Sequence, residues 1–137
     1  MLKKIDHIGI AVSDLEEVQQ TLQDAFDLSP AFRENVADQM VKVLGYHVGE
    51  STIEYLQATS PDSPIARYIE KKGAGLHHIA YRVENLSETL LRLKNKGYRL
   101  INEQPRSGAE GKRIAFVHPK SSNGILIELC EIAQVTK

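Results

Sequence analysis

The sequence holds little that would commit it to an oxidised scaffold, a membrane or a nucleic acid. Cys130 is its one cysteine, so an intramolecular disulfide is excluded. The local run Glu-Leu-Cys-Glu reads as the end of a strand carrying a small, half-buried thiol rather than a nucleophile. No stretch approaches the roughly 18 consecutive apolar residues of a membrane span. The opening Met1-Leu2-Lys3-Lys4-Ile5-Asp6 has no long apolar core of a secretory signal, and a cytoplasmic protein is expected. A formal net charge of −1 leaves no basic surplus for nucleic acid or anionic lipid. What remains is ordinary globular material: 137 residues, 42% hydrophobic and 26% charged, enough to bury a real core.

The informative feature is that the chain contains itself twice. Residues 6–15, Asp-His-Ile-Gly-Ile-Ala-Val-Ser-Asp-Leu, are echoed by residues 77–86, His-His-Ile-Ala-Tyr-Arg-Val-Glu-Asn-Leu. A constant offset of 71 pairs His7 with His78, Gly9 with Ala80, Val12 with Val83 and Leu15 with Leu86. Later, Ile53-Glu54-Tyr55 matches Ile127-Glu128-Leu129 at an offset of 74, the drift expected of one loop-length difference.

The periodicity repeats with the residues. Alternation predicts strands over 4–12, 31–36, 40–48 and 51–58, and again over 76–83, 98–103, 112–118 and 123–130. Asp14 is the expected N-cap of a helix carrying Leu15, Val18, Leu22 and Phe26 on one face. Leu86, Leu90 and Leu93 define the matching helix over 86–96, with Gly97 as its stop. Ile65–Lys72 forms a short helix between the halves. The fold class is therefore α+β, two tandem βαβββ modules. One domain over 1–137 is expected, with module one at about 1–60, the connecting helix at about 61–74 and module two at about 75–132.

Strand alternation puts His7 on a face with Gly9 and Ala11, and His78 on a face with Ala80 and Arg82. Small neighbours leave space in front of an imidazole that a packed core would fill. Glu54 and Glu128 each sit between apolar residues in mid-strand, where a carboxylate is costly unless paired, protonated or bound to a metal. Two imidazoles and two carboxylates suit a divalent ion such as Zn, Co, Ni, Mn or Fe(II). Any one of these residues alone would read as an ordinary strand residue; their recurrence in both halves makes them candidates. His77 points to the opposite face from His78. His47 and His118 have no repeat partner and read as loop-edge residues, and Lys71-Lys72 as a solvated helix end. The segment Arg106–Lys120 combines Gly108 and Gly111 with Arg106, Lys112, Arg113 and Lys120, a basic loop suited to a carboxylate or phosphates, or else simply a solvated hairpin.

The paired His and Glu residues resemble the vicinal oxygen chelate superfamily, which includes glyoxalase I, ring-cleaving dioxygenases and methylmalonyl-CoA epimerases. The resemblance covers nearly the whole chain and is greatest to the epimerases. It is carried by Asp6-His7-Ile8-Gly9-Ile10-Ala11-Val12, by Asp62-Ser63-Pro64-Ile65-Ala66, by Gly75-Leu76-His77-His78-Ile79-Ala80, and by a tail of Arg106-Ser107-Gly108-Ala109-Glu110-Gly111, Ala115-Phe116-Val117-His118-Pro119-Lys120-Ser121 and Gly124-Ile125-Leu126-Ile127-Glu128-Leu129. It implies a curved mixed sheet around one divalent metal ion held by His7, Glu54, His78 and Glu128, and usually a homodimer. It implies epimerisation of a 2-methyl-branched acyl-CoA thioester through a metal-stabilised enolate. Glu128 and Glu54 are then the candidate proton-transfer groups, and Arg106, Gly108, Gly111 and Lys120 the candidate substrate contacts. Three departures stand out: Glu54 where some epimerases have Gln, Val43 where some place a second catalytic Glu, and Asp38 where a Glu is frequent. A lactoylglutathione lyase of the glyoxalase I type, and a non-catalytic small-molecule-binding resistance protein of the same fold, are the alternatives. Retention of all four ligands speaks against the latter. The fourth ligand, Glu54, speaks against a dioxygenase.

Overall fold

The computed structural model describes residues 1–132. The chain divides into two compact units, His7–His77 and a second formed by Met1–Asp6 with the residues from His78 onward. Each is a βαβββ module, so the α+β class read from the repeat holds. The first strand, β1 (Leu2–Ala11), contributes residues to both.

In the His7–His77 module, β1 is followed by α1 (Leu15–Phe26), β2 (Phe32–Val36), β3 (Val41–Val48), β4 (Ser51–Ala58) and α2 (Pro64–Lys72). The strands lie in the order β2-β3-β4-β1, with β4 parallel to β1 and the remaining pairs antiparallel. Asp14 caps α1 as expected, accepting from the Glu16 and Glu17 N–H groups. Ser63 caps α2, with Pro64 in the first turn where its missing N–H costs nothing.

Leu15, Leu44 and Tyr46 form the core on the helix side of this sheet, with Val12, Leu22 and Tyr55 against them. Phe26, expected on the buried stripe of α1, is instead 72% exposed. The helix stops there: Asp27 turns left-handed, the Leu28 N–H donates to the Leu22 carbonyl, and Leu28 takes the core position.

The second module repeats the plan with β5 (Gly75–Val83), α3 (Leu86–Asn95), β6 (Arg106–Ser107), β7 (Arg113–Val117) and β8 (Ile127–Glu131). Its strand order is β5-β8-β7-β6, and β8 is parallel to β5. Leu86 and Leu90 of α3 are fully buried against Val83, Ala115, Val117 and Leu129. Burial of each leucine contributes roughly 1.5–3 kcal/mol.

The duplication extends to a tie between helix and sheet. The Leu15 N–H donates to Gln57 Oε1 at 2.8 Å, and the Leu86 N–H to Glu131 Oε2 at 3.1 Å. Gln57 and Glu131 each lie three residues after the glutamate of their half.

One expected strand is not formed. Residues 98–103 make only an isolated bridge, Leu100 with Val117. The Asn102 side chain accepts the Phe116 N–H at 2.9 Å, occupying a donor that a continuing ladder would need. The outer strand of this module is the two-residue β6 instead. The last strand also starts late, at Ile127 rather than 123, because Asn123 and Gly124 turn with positive φ.

Candidate functional site

Each module buries one histidine beside one glutamate. In the His7–His77 module, β1 and β4 run parallel with Gly9 opposite Glu54. His7 and Glu54 therefore share a face, and His7 Nδ1 lies 3.2 Å from Glu54 Oε2. In the second module Ala80 lies opposite Glu128, and His78 Nε2 is 3.4 Å from Glu128 Oε1. All four side chains are at most 6% exposed. The small residues named from sequence hold their places: Gly9, Ala11 and Ala80 are buried on the same faces.

Aromatic rings border each pair. Phe116 of β7 lies opposite Glu128 and meets the His78 ring edge-on at 5.6 Å. In the first module Gly45 lies opposite Glu54, and the Phe32 ring fills the space above it. A Cβ at Gly45 would sit 2.1 Å from that ring. Both glutamates thus lie among apolar surfaces, which strengthens whatever charge they face.

Asp6 is a functional-site neighbour that sequence reasoning passed over. Its carboxylate is fully buried and accepts from Arg82 Nε at 3.0 Å, Arg82 Nη2 at 2.6 Å and Lys112 Nζ at 2.7 Å. The signal was present in the sequence: an Asp inside an apolar alternation, immediately before His7, needs cationic partners. Lys112, read as part of a flexible basic loop, is 13% exposed and anchored to Asp6. Cys130 lies near this cluster. Burial, with added repulsion from Asp6 and Glu128, pushes its thiol far above the ordinary range, so it stays protonated.

The candidate substrate contacts lie along one stretch of the second module. Arg106 is exposed on β6, paired with Ile114. Gly108 is buried, and a Cβ there would lie 2.6 Å from Ile114 Cγ2. Gly111 follows in a tight turn with φ of 70°, after Glu110 at φ of 59°. Lys120 is exposed in the turn after β7, its N–H donated to His118 Nδ1 at 3.1 Å. His47 Nδ1 sits 3.2 Å from the Thr52 hydroxyl at a strand end. His77 stacks edge-on against Tyr68 at 4.9 Å, and burial lowers its pKa to about 4. Lys71 and Lys72 are exposed at the end of α2.

The sequence and the fold match a known class. The family model of the Glyoxalase/Bleomycin resistance protein/Dioxygenase superfamily covers residues 6–116, and the chain belongs to that superfamily. Among its relatives is an ethylmalonyl-CoA/methylmalonyl-CoA epimerase of Cereibacter sphaeroides, 35% identical over 134 residues, covering 96% of this chain and 100% of the relative. An uncharacterised Bacillus subtilis protein, YqjC, is 40% identical over 130 residues, 95% of this chain and 93% of that one. A solved Streptomyces coelicolor methylmalonyl-CoA epimerase variant, in complex with 2-nitronate-propionyl-CoA, superposes with a TM-score of 0.93 at 31% identity over 100% of this chain and 99% of that chain.

Proposed function

We propose that the chain epimerises methylmalonyl-CoA, or a closely related 2-branched malonyl thioester, using one divalent metal ion held jointly by His7, Glu54, His78 and Glu128. The observation that carries this is the buried His–Glu pair set in equivalent register in each module. Epimerase relatives aligned over nearly the full chain support the substrate class.

The donor set fits a divalent ion. Two imidazole nitrogens and two carboxylate oxygens suit Co, Ni, Mn, Zn or Fe(II), and an isolated buried carboxylate in an apolar setting costs several kcal/mol without a cation. When bound, the ion supplies a positive charge against the negative charge that develops on the thioester oxygen.

The chain's own residues do the rest. Glu128 exchanges the proton at the alpha carbon on one face. The electron pair of the broken C–H bond passes to the thioester as an enolate, and a proton returned to the other face inverts the centre. Phe116 keeps water from the histidine beside Glu128. Arg106, exposed on β6, holds the free carboxylate of the malonyl group in a forked ion pair. The working form is taken to be a homodimer in the cytoplasm. Among the described residues no helix is long and apolar enough to cross a membrane.

Deuterium wash-in at the alpha carbon of methylmalonyl-CoA in heavy water tests the reading. Metal-dependent exchange is expected. Absence of exchange above background, together with turnover of the methylglyoxal–glutathione adduct, would move the assignment to a lactoylglutathione lyase.

A further inference from the structure

The edge strands of the two modules are held differently. In the first module β2 pairs with β3 along the whole of Phe32–Val36. In the second, β6 pairs with β7 only through Arg106 with Ile114 and Ser107 with Arg113. So short a ladder at the rim of a sheet holds a strand weakly by itself. Arg106, to which the proposed function gives the malonyl carboxylate, sits on that ladder. We propose that Lys112 is the positioning residue for this strand: its ion pair with Asp6 fixes the β6–β7 hairpin and so sets Arg106 in place for an anionic acyl thioester. The identity of the ligand rests on the proposed function; the anchor rests on the hairpin itself.

Lys112 acts through both its backbone and its side chain. The Gly108 N–H donates to the Lys112 carbonyl at 2.9 Å, and the Lys112 N–H donates to the Ala109 carbonyl at 3.2 Å. Glu110 and Gly111, both with positive φ, make the turn between them. From there the Lys112 ammonium donates to Asp6 Oδ1 at 2.7 Å on β1, and to Glu110 Oε1 at 3.5 Å within the turn. Arg82 holds the other Asp6 oxygen from β5, through Nε at 3.0 Å and Nη2 at 2.6 Å. The anchor point is therefore itself clamped, and the Asp6 side chain is fully buried.

The duplication shows that a module of this kind folds without these charges. The offset of 71 sets Arg82 against Ala11. Phe116 lies opposite Glu128 as Gly45 lies opposite Glu54, so Lys112, four residues before Phe116, matches Val41. Ala11 and Val41 are both buried. Apolar packing thus serves at these positions in the first half, and a buried ion pair is seldom more stabilising than apolar residues of similar volume. The charges stand in the half whose edge strand is short. Where the ladder is long a valine suffices, and where it is short a lysine reaches across to β1.

An untied hairpin has to be ordered each time the substrate binds, which costs affinity. The chemistry lies elsewhere, with Glu128 on β8, so turnover of bound substrate does not depend on the anchor. Loss of the anchor therefore raises KM at constant kcat.

Kinetics and amide exchange test this together on the metal-loaded protein. Lys112→Met should raise KM for methylmalonyl-CoA about 10-fold with kcat unchanged, whereas Lys112→Arg, which keeps the ion pair, should stay near the natural value. Asp6→Ala should raise KM as Lys112→Met does, and the double variant should raise it no further, because the two residues act as one anchor. In the unliganded protein, hydrogen exchange at the Gly108 and Lys112 amides should accelerate at least about 10-fold in Lys112→Met, with a smaller change in α3. A purely structural role gives equal acceleration throughout the module, and a lower kcat at unchanged KM as folded enzyme is lost; that outcome overturns the proposal. So does a rise in KM for Lys112→Met that Asp6→Ala does not share at equal metal content, since it marks a direct substrate contact. If the natural protein turns over neither epimer, the proposed function falls and the role towards this substrate with it. Unchanged hairpin exchange in Lys112→Met overturns the anchor whatever the substrate.

Discussion

Replacing Asp6 by alanine should destabilise the protein by about 3 kcal/mol. The carboxylate is wholly buried and accepts three hydrogen bonds from two cations. Truncating one member of a buried ion pair typically costs about 3–5 kcal/mol, because the charge left behind stays poorly solvated. Here the stranded cations keep some access to water, 27% for the Arg82 side chain and 13% for Lys112, which places the cost at the lower end. The corresponding fall in melting temperature is about 12 °C for a chain of this size. Urea unfolding followed by circular dichroism, with chelator present so that metal binding does not enter, reads the difference directly. Lys112→Met alone should cost less, about 1 kcal/mol, since Arg82 still neutralises Asp6. The double variant should be more stable than the sum of the singles predicts by about 1 kcal/mol, as expected of groups in one network. A loss below about 1 kcal/mol for Asp6→Ala, or strict additivity, would refute the view that Asp6, Arg82 and Lys112 form one coupled buried network.

Other outcomes follow from single features. Gly108→Ala should destabilise by about 1–3 kcal/mol, because the new methyl group meets the buried Ile114 side chain; denaturant titration checks it. Cys130 should resist a thiol reagent at pH 8 in the native protein and react at once in denaturant, since burial and the neighbouring carboxylates raise its pKa. His77 has a folded pKa near 4 against an unfolded value of 6.5, so the unfolded chain takes up its proton first. Stability should therefore fall as pH drops from 6.5 towards 4, and His77→Gln should flatten that slope in thermal melts.

The sequence carried the architecture because the architecture is duplicated. A motif that recurs at a fixed offset fixes the module, and strand alternation then fixes which side chains share a face. His7, Glu54, His78 and Glu128 were legible on those grounds, and in each half the structure sets histidine beside glutamate. What escaped depends on pairing across strands that single-strand periodicity cannot see. Lys112 looked like a surface loop charge until its partner, 106 residues earlier in the chain, was located. Residues 98–103 had the alternation of a strand, but Asn102 spends its side chain on the neighbouring backbone and ends the ladder. Phe26 followed the helical stripe faithfully, yet the helix ended beneath it and Leu28 filled the space.

The most direct test of the account is the metal content of the purified protein. Two His–Glu pairs acting as one site predict one divalent ion per chain after loading and dialysis, with binding lost in both His7→Ala and His78→Ala although each alters only one pair. No retained metal, or two ions per chain each abolished by only one of the two substitutions, would contradict it.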